Sequence, residues 1–357
     1  MKPNFSLSNI KMDTPKIDGL NILLILVSLL LAYELPFGLF LFSYAVLGPL
    51  HYLTEINWLK QKNYFVKERK WVWVLIFLAV LSFILLLLKL KTFHLTDATG
   101  PIGYQLNSNN LFNGALLISL LFAIGLVYLQ KGKQIMLFLV ISALISFLLL
   151  KYLSFSTRLL CVFLPTIVHV YLFTLLFMIA GTLNTMSKAG IIAIILLMLC
   201  PVIIFTTNID IANYRIAELT MTTFTKSGFY NVNTLLARMG GIQTKGYSPF
   251  LSVMGIKIQI FIAFCYTYHY LNWFSKTSII GWNKNVSIPK FITIIIVWIG
   301  AVGLYWYNYI IGFNVLFLLS TMHVFLEFPL NISSIKQIFL RTKLKARQQS
   351  SPEIGNM

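Results

Sequence analysis

The residues able to do chemistry in this chain are few, and some of them recur as a pattern. The stretches "PLHYLTEINWL" and "MHVFLEFPL" each place a glutamate four residues after a histidine, giving the pairs His51–Glu55 and His323–Glu327. On an α-helix positions i and i+4 share a face, so each pair can converge on one point. Two further histidines stand in apolar surroundings, His169 in "LPTIVHVYLFTLLFM" and His269 in "FCYTYHYLNWFSK". Neutral imidazole binds iron, copper or zinc. A carboxylate one turn away can ligate directly, or accept the free N–H of a ligand histidine and so fix its tautomer and raise its basicity. The expected metal ligands are therefore His51, His169, His269 and His323, with Glu55 and Glu327 as the working carboxylates. The spacing leaves iron, copper and zinc open, and Fe(II) is the leading expectation. Histidine-bound iron with carboxylates in its outer shell leaves positions open for dioxygen.

These residues lie in a chain built for lipid. Of the 357 residues 58% are hydrophobic and 11% charged, and the mean hydropathy is +0.81. Soluble domains carry about a quarter charged residues, so composition alone gives an integral membrane protein. Ionisable groups in a spanning helix cost about 2.5–3.5 kcal/mol or more, and normally face the bundle interior and mark a function. The net charge of +18 is spread over short loops beside apolar runs. That is the positive-inside pattern, and it argues against a nucleic-acid groove. Cys161, Cys200 and Cys265 stand far apart inside apolar segments and read as small core residues, forming neither a disulfide framework nor a CxxC site.

The elements that must position the site are spanning helices, each about 20 residues long. Apolar runs predict an all-α bundle of about ten, near 19–34, 36–56, 71–91, 111–130, 134–151, 159–182, 189–206, 251–273, 291–309 and 312–331. In "ELPFG" Pro36 and Gly38 predict a tight turn between the first two, with Glu34 solvated beside it. The loops "KQKNYFVKERK", "KGK", "SKAG" and "KTSIIGWNKN", the amino-terminal leader with Lys2, Lys11 and Lys16, and the tail "KQIFLRTKLKAR" all fall on one side. Both termini are then cytoplasmic, and the spans make one domain over 1–335 followed by a basic tail, 336–357. The leader lacks a small-residue cleavage site and is not read as a signal peptide.

The segment 207–250 is too polar to span and too long for an ordinary connection, so it is expected to form an extracytoplasmic cap or interfacial helix. The final "QQSSPEIGNM" is expected to be disordered. No internal repeat stands out.

With this topology the second, sixth, eighth and tenth spans run in one direction. His169 and His323 fall near mid-membrane and His51 and His269 nearer the cytoplasmic end, all within about 10 Å of depth. Tyr266, Tyr268, Tyr270, Trp273 and Phe274 surround His269, and Phe325 and Phe328 flank the last pair. Such aromatics can line a tunnel for a long conjugated or acyl chain entering from the bilayer. Trp273 and Trp282 fit an interfacial aromatic belt better, and Lys276 fits a side chain reaching for the headgroups. His94 and Asp97 lie close together in a polar loop and read as solvated, and the glycines of "MGG" (239–241) read as a turn.

The contexts "HYLTE", "VHVYLF", "YHYLNW" and "MHVFLE" around intramembrane histidines resemble the Brp/Blh family of membrane β-carotene 15,15′-dioxygenases. The resemblance implies a bacterial cytoplasmic-membrane enzyme that uses histidine-bound iron and oxygen to split β-carotene into retinal. It carries the iron-ligand role onto His51, His169, His269 and His323. The family's paired histidines at helical spacing are absent, with glutamate at the i+4 position instead.

The leading expectation is thus a non-haem iron oxygenase acting on a lipophilic substrate, with membrane lipids as its other partner and no nucleic acid. A di-metal desaturase or hydroxylase wants about eight histidines in HxxxH clusters, which this chain lacks. A proton-coupled transporter would use His/Glu pairs staggered in depth, with Pro165 and Pro201 available to break spans. A lipid-linked transferase would place its chemistry in the 207–250 segment, on Asp210, Arg215, Glu218, Lys226 and Arg238. A structural membrane subunit is the remaining reading. No P-loop, GxGxxG, Ser–His–Asp order or HExxH is present.

Overall fold

The structure is a computed structural model that describes residues 14–90, 108–153, 161, 163–241, 249–277, 279–282 and 286–350. Lys2, Lys11, His94, Asp97 and residues 351–357 lie outside that set. Every element among the described residues is helical.

Among the described residues eight helical segments are long and apolar enough to cross a membrane: Lys16–Glu34, Pro36–Gln61, Asn110–Tyr128, Gly132–Tyr152, Leu164–Thr185, Lys188–Thr206, Ile288–Tyr307 and Tyr309–Lys343. Two further long helices, α4 (Val72–Leu90) and α11 (Val253–Lys276), complete the bundle. Between α1 (Thr14–Glu34) and α2 (Pro36–Phe42) the expected turn shrinks to one residue, Leu35, at φ −135° and ψ 55°. Proline disfavours helix in the residue before it and suits the first helical position, so Pro36 alone makes the break. Gly38 sits inside α2 and takes no part in it.

The bundle is organised around α11. Its residues from Gly255 to Tyr270 are buried without interruption, as is Asn272. A helix buried all round reads as apolar on every face or carries polar groups that are satisfied or functional. Here the polar load includes Lys257, Gln259, Thr267, His269 and Asn272. Lys257 donates from Nζ to the Phe205 carbonyl at 2.9 Å, and Gln259 donates to the Pro36 carbonyl at 3.2 Å. Thr267 shares a 2.8 Å hydroxyl contact with Ser43. The helix is pinned to its neighbours by these bonds as well as by packing against α1 and α2.

The described part of the 207–250 segment holds two short helices, α9 (Glu218–Lys226) and α10 (Tyr230–Met239), besides short 3-10 turns. Phe229, between them, packs edge-on against Phe40 at 4.7 Å and Phe313 at 5.1 Å. Asn233 of α10 donates to the Gly255 carbonyl at 2.9 Å. The last helix, α13, runs from Tyr309 to Ser350, so the basic stretch after residue 335 continues the spanning helix, and residues 348–350 are helical.

Candidate metal centre

Two of the four histidines sit on or just beyond a π-helical turn. His51 lies in α3 (Gly48–Gln61), which restarts directly after the π segment Ser43–Leu47. His169 lies inside a second π segment, Leu164–Phe173, that continues into α7 (Thr174–Thr185). A π turn takes up one extra residue, so it re-aims the side chains around it, and such turns concentrate at functional sites. His269 projects from α11 and His323 from α13.

The four imidazoles meet. His51 Nε2 is 3.2 Å from His269 Nε2, and His169 Nε2 is 3.1 Å from His323 Nε2. The ring centroids of His51 and His323 are 5.4 Å apart, and those of His169 and His269 are 5.0 Å apart. Each ring is at most 6% exposed, and Glu55 and Glu327 are 2% and 1% exposed. Glu55 Oε2 approaches His51 Nε2 at 3.0 Å, and Glu327 Oε2 approaches His169 Nδ1 at 3.3 Å.

These residues fit a metal ion. A metal–imidazole bond of about 2.1 Å gives nitrogen–nitrogen edges of roughly 3.0 Å in a square or octahedral set and about 3.4 Å in a tetrahedral one. The observed separations fall in that interval. Three overlapping groups, His51–His169–His269, His51–Glu55–His323 and His169–His323–Glu327, each hold their donor atoms within 4.8 Å of one another. The polar accounting points the same way. Nδ1 of His51, His169 and His323 and Oε2 of Glu55 and Glu327 are buried without an aligned hydrogen bond. Among them Glu327 Oε2 and His169 Nδ1 face each other, and Glu55 Oε2 faces His51 Nε2. An unsatisfied buried polar group costs about 1–3 kcal/mol, so this many weakly partnered groups at one spot suit a ligand.

The surroundings fix the rings. Thr174 donates its hydroxyl proton to the Val170 carbonyl at 3.0 Å, so at 2.7 Å from His269 Nδ1 it can only accept. His269 therefore carries its proton on Nδ1 and presents a bare Nε2 to the cluster. Tyr52 lies flat on His323, centroids 4.2 Å apart at 22°, and its hydroxyl meets that of Tyr270 at 2.8 Å. Trp273 packs edge-on against His51 at 5.5 Å and donates its indole N–H to Thr54 at 2.9 Å. It belongs to the site, whereas the expected place for it was an interfacial belt. Trp282 is buried beside Phe291, with ring centroids 6.4 Å apart.

Two cavities meet at the histidines from opposite ends of the bundle. The first, about 300 Å³, reaches His169 and His323 and is walled by aromatics from the cap and the bundle, Phe229, Phe313 and Tyr266 among them. Among the described residues no Asp, Glu, Lys or Arg lines it. The second, about 230 Å³, reaches His51, His269, Glu55 and Glu327 and extends to Asp18, Asn184 and Lys276. Lys276 lines this cavity, a position its spacing from His269 allows but its expected role at the headgroups does not describe. Phe325 touches the first cavity, and Phe328 packs against it with the rings stacked 5.8 Å apart.

Tyr52 and Thr174 are the site residues that sequence reasoning missed. For Tyr52 a signal exists: a His–Tyr dyad occurs at 51–52 and again at 269–270, and the two tyrosines of those dyads touch. No protein-family model matches the chain, and no curated protein or solved structure shows significant similarity to it.

Proposed function

We propose that the protein is a membrane-embedded, histidine-liganded non-haem iron oxygenase acting on a lipophilic substrate. The observation that carries this reading is the convergence of two pairs of Nε2 atoms, each pair at metal-ligand spacing, on the floor of an aromatic cavity that is uncharged among the described residues. Imidazole and carboxylate suit iron, and the buried cysteines offer no thiolate to the group. Iron at that point supplies the activation of dioxygen.

The chain's own residues supply the rest. His51, His169, His269 and His323 would hold the ion, with Glu55 and Glu327 as alternative ligands or as acceptors for ligand N–H groups. Thr174 keeps the proton of His269 on Nδ1. The first cavity has the small end of the volume range typical of ligand sites, about 300–1,000 Å³. Its apolar walls admit a hydrocarbon chain and exclude water from the reacting end. Carotenoid cleavage is the specific reaction we favour, since a conjugated chain suits an aromatic tunnel.

The ten long helices among the described residues, and the basic loops that alternate with them along the sequence, support a ten-span protein of the bacterial inner membrane with both termini cytoplasmic. A proton-coupled transporter is the second reading, favoured by the two cavities that meet at the histidines. Pro201 lies within an unbroken helix, Lys188–Thr206, which gives that reading no broken span there. The transferase reading draws no support from the cap. Asp210 accepts from the backbone N–H of Ala212 at 3.0 Å, and among the described residues of the segment those that reach the cavity are Phe224, Phe229 and Val232.

The test is metal analysis by plasma mass spectrometry on detergent-purified protein and on His323→Ala, followed by assays with carotenoid and acyl-lipid substrates under oxygen. About one iron per chain, lost in the folded variant, with oxygen-dependent turnover, is expected. No stoichiometric transition metal after anaerobic purification with iron supplied overturns the reading and moves proton-coupled transport to the front.

A further inference from the structure

The second cavity plays no part in holding a lipophilic substrate, yet it is the better furnished of the two with polar groups. Three oxygen atoms of its wall residues are buried without a hydrogen-bond partner, Asp18 Oδ2, Asn184 Oδ1 and Asn272 Oδ1, and two more, Glu55 Oε2 and Glu327 Oε2, have only a histidine nitrogen beside them. Of their residues Asn272, Glu55 and Glu327 are more than nine-tenths buried. All five are acceptors. Hard oxygen acceptors without donors are satisfied by water or by a hydrated cation, and carboxylate and carbonyl oxygen are the ligands divalent cations keep while partly hydrated. Three carboxyl groups line this wall against one ammonium group, that of Lys276, which interacts with Asp18.

The arrangement has a direction. On α11 the residues His269, Asn272 and Lys276 follow one another along the cavity, and on α13 His323 is followed by Glu327, Ser334 and Gln337. Asp18 stands near the start of α1, and Lys276 at the end of α11. The oxygens therefore step from the histidines toward the bundle end that bears the loops rich in lysine.

We infer that this cavity is a hydrated loading path through which a divalent transition-metal ion reaches the histidines from the basic-loop face, passed by Asp18, Asn184 and Asn272 to Glu55 and Glu327. The path is separate from the aromatic cavity, so the metal and a lipophilic substrate approach the centre from opposite ends. This inference rests on the metal-centre reading above.

The experiment follows Co(II) uptake by metal-free, detergent-purified full-length protein through the visible absorption of the bound ion, in wild type, Asp18→Asn, Asn272→Leu and Thr166→Val, the last lining the aromatic cavity. Uptake in Asp18→Asn and Asn272→Leu should slow about tenfold or more, as expected for losing charge focusing or polar lining, with the final Co(II) content and spectrum unchanged. Thr166→Val should load at the wild-type rate. Wild-type rates in both path variants, or slowing confined to Thr166→Val, overturn the loading path while leaving the metal centre standing. Failure of the wild type to take up Co(II) at all overturns both. Should Asn272→Leu fail to fold, Asp18→Asn at the outer end decides the matter alone.

Discussion

Glu327 Oε2 lies 3.3 Å from Nδ1 of His169, on a different helix, although His323 precedes it by one turn on its own. The i, i+4 rule brings His51 and Glu55 into contact but sends Glu327 across the bundle. A carboxylate that holds a ligand's far nitrogen fixes which nitrogen faces the metal. Glu327→Gln should therefore lower metal affinity about 10–100-fold while the protein stays folded. Chelator competition on the purified protein measures it. In a double-mutant cycle Glu327 should couple to His169 and not to His323, and the reverse pattern would contradict the contact.

Thr174 acts on the site only through His269. Replacing it by valine removes the acceptor for Nδ1–H and leaves that buried donor unsatisfied, a change worth about 1–3 kcal/mol. The freed ring can then protonate at Nε2, the atom the metal needs. Thr174→Val should weaken metal binding, whereas Thr174→Ser, which keeps the hydroxyl, should restore it. Equal affinities for the two variants would show the hydroxyl to be packing only.

Gly48 sits where the chain leaves its first π turn, and its lack of a side chain leaves room for the tyrosine pair. A Cβ there would lie 2.9 Å from Tyr52 Oη and 3.2 Å from Tyr270 Oη. Gly48→Ala should destabilise the protein by about 1–3 kcal/mol, the usual cost of overpacking, and disturb the ring stacked on His323. In the Tyr52→Phe/Tyr270→Phe background both hydroxyls are gone together, and the same substitution should cost less. Thermal unfolding in detergent reads the difference, and an equal loss in both backgrounds would refute the steric account.

The aromatic cavity should accept substrate independently of metal. Ile262→Phe adds bulk to its wall at a residue 7% exposed. Iron content should stay at the wild-type level while KM for a long-chain substrate rises. Loss of iron with unchanged KM would place the substrate elsewhere.

The sequence by itself determined that this is a helical membrane protein and where its long helices run, because hydrophobic periodicity and length are local properties of the chain. It also singled out His51, His169, His269, His323, Glu55 and Glu327, because ionisable groups in a lipid-like setting are conspicuous against so few charges. The pairing of the groups was decided only by tertiary structure. Two π turns lie before His51 and around His169, each taking up an extra residue that no propensity encodes, and the packing of the helices brings Glu327 to His169. Thr174 carries no sequence mark of its role and Tyr52 only the repeated His–Tyr dyad, since a hydroxyl or a ring becomes a support only when another helix brings a histidine to it. The division into an aromatic cavity and an oxygen-lined one belongs to the same class. A cavity is the space that packing leaves between helices, and helix rotation and tilt, set by contacts distant in sequence, decide which side chains it receives.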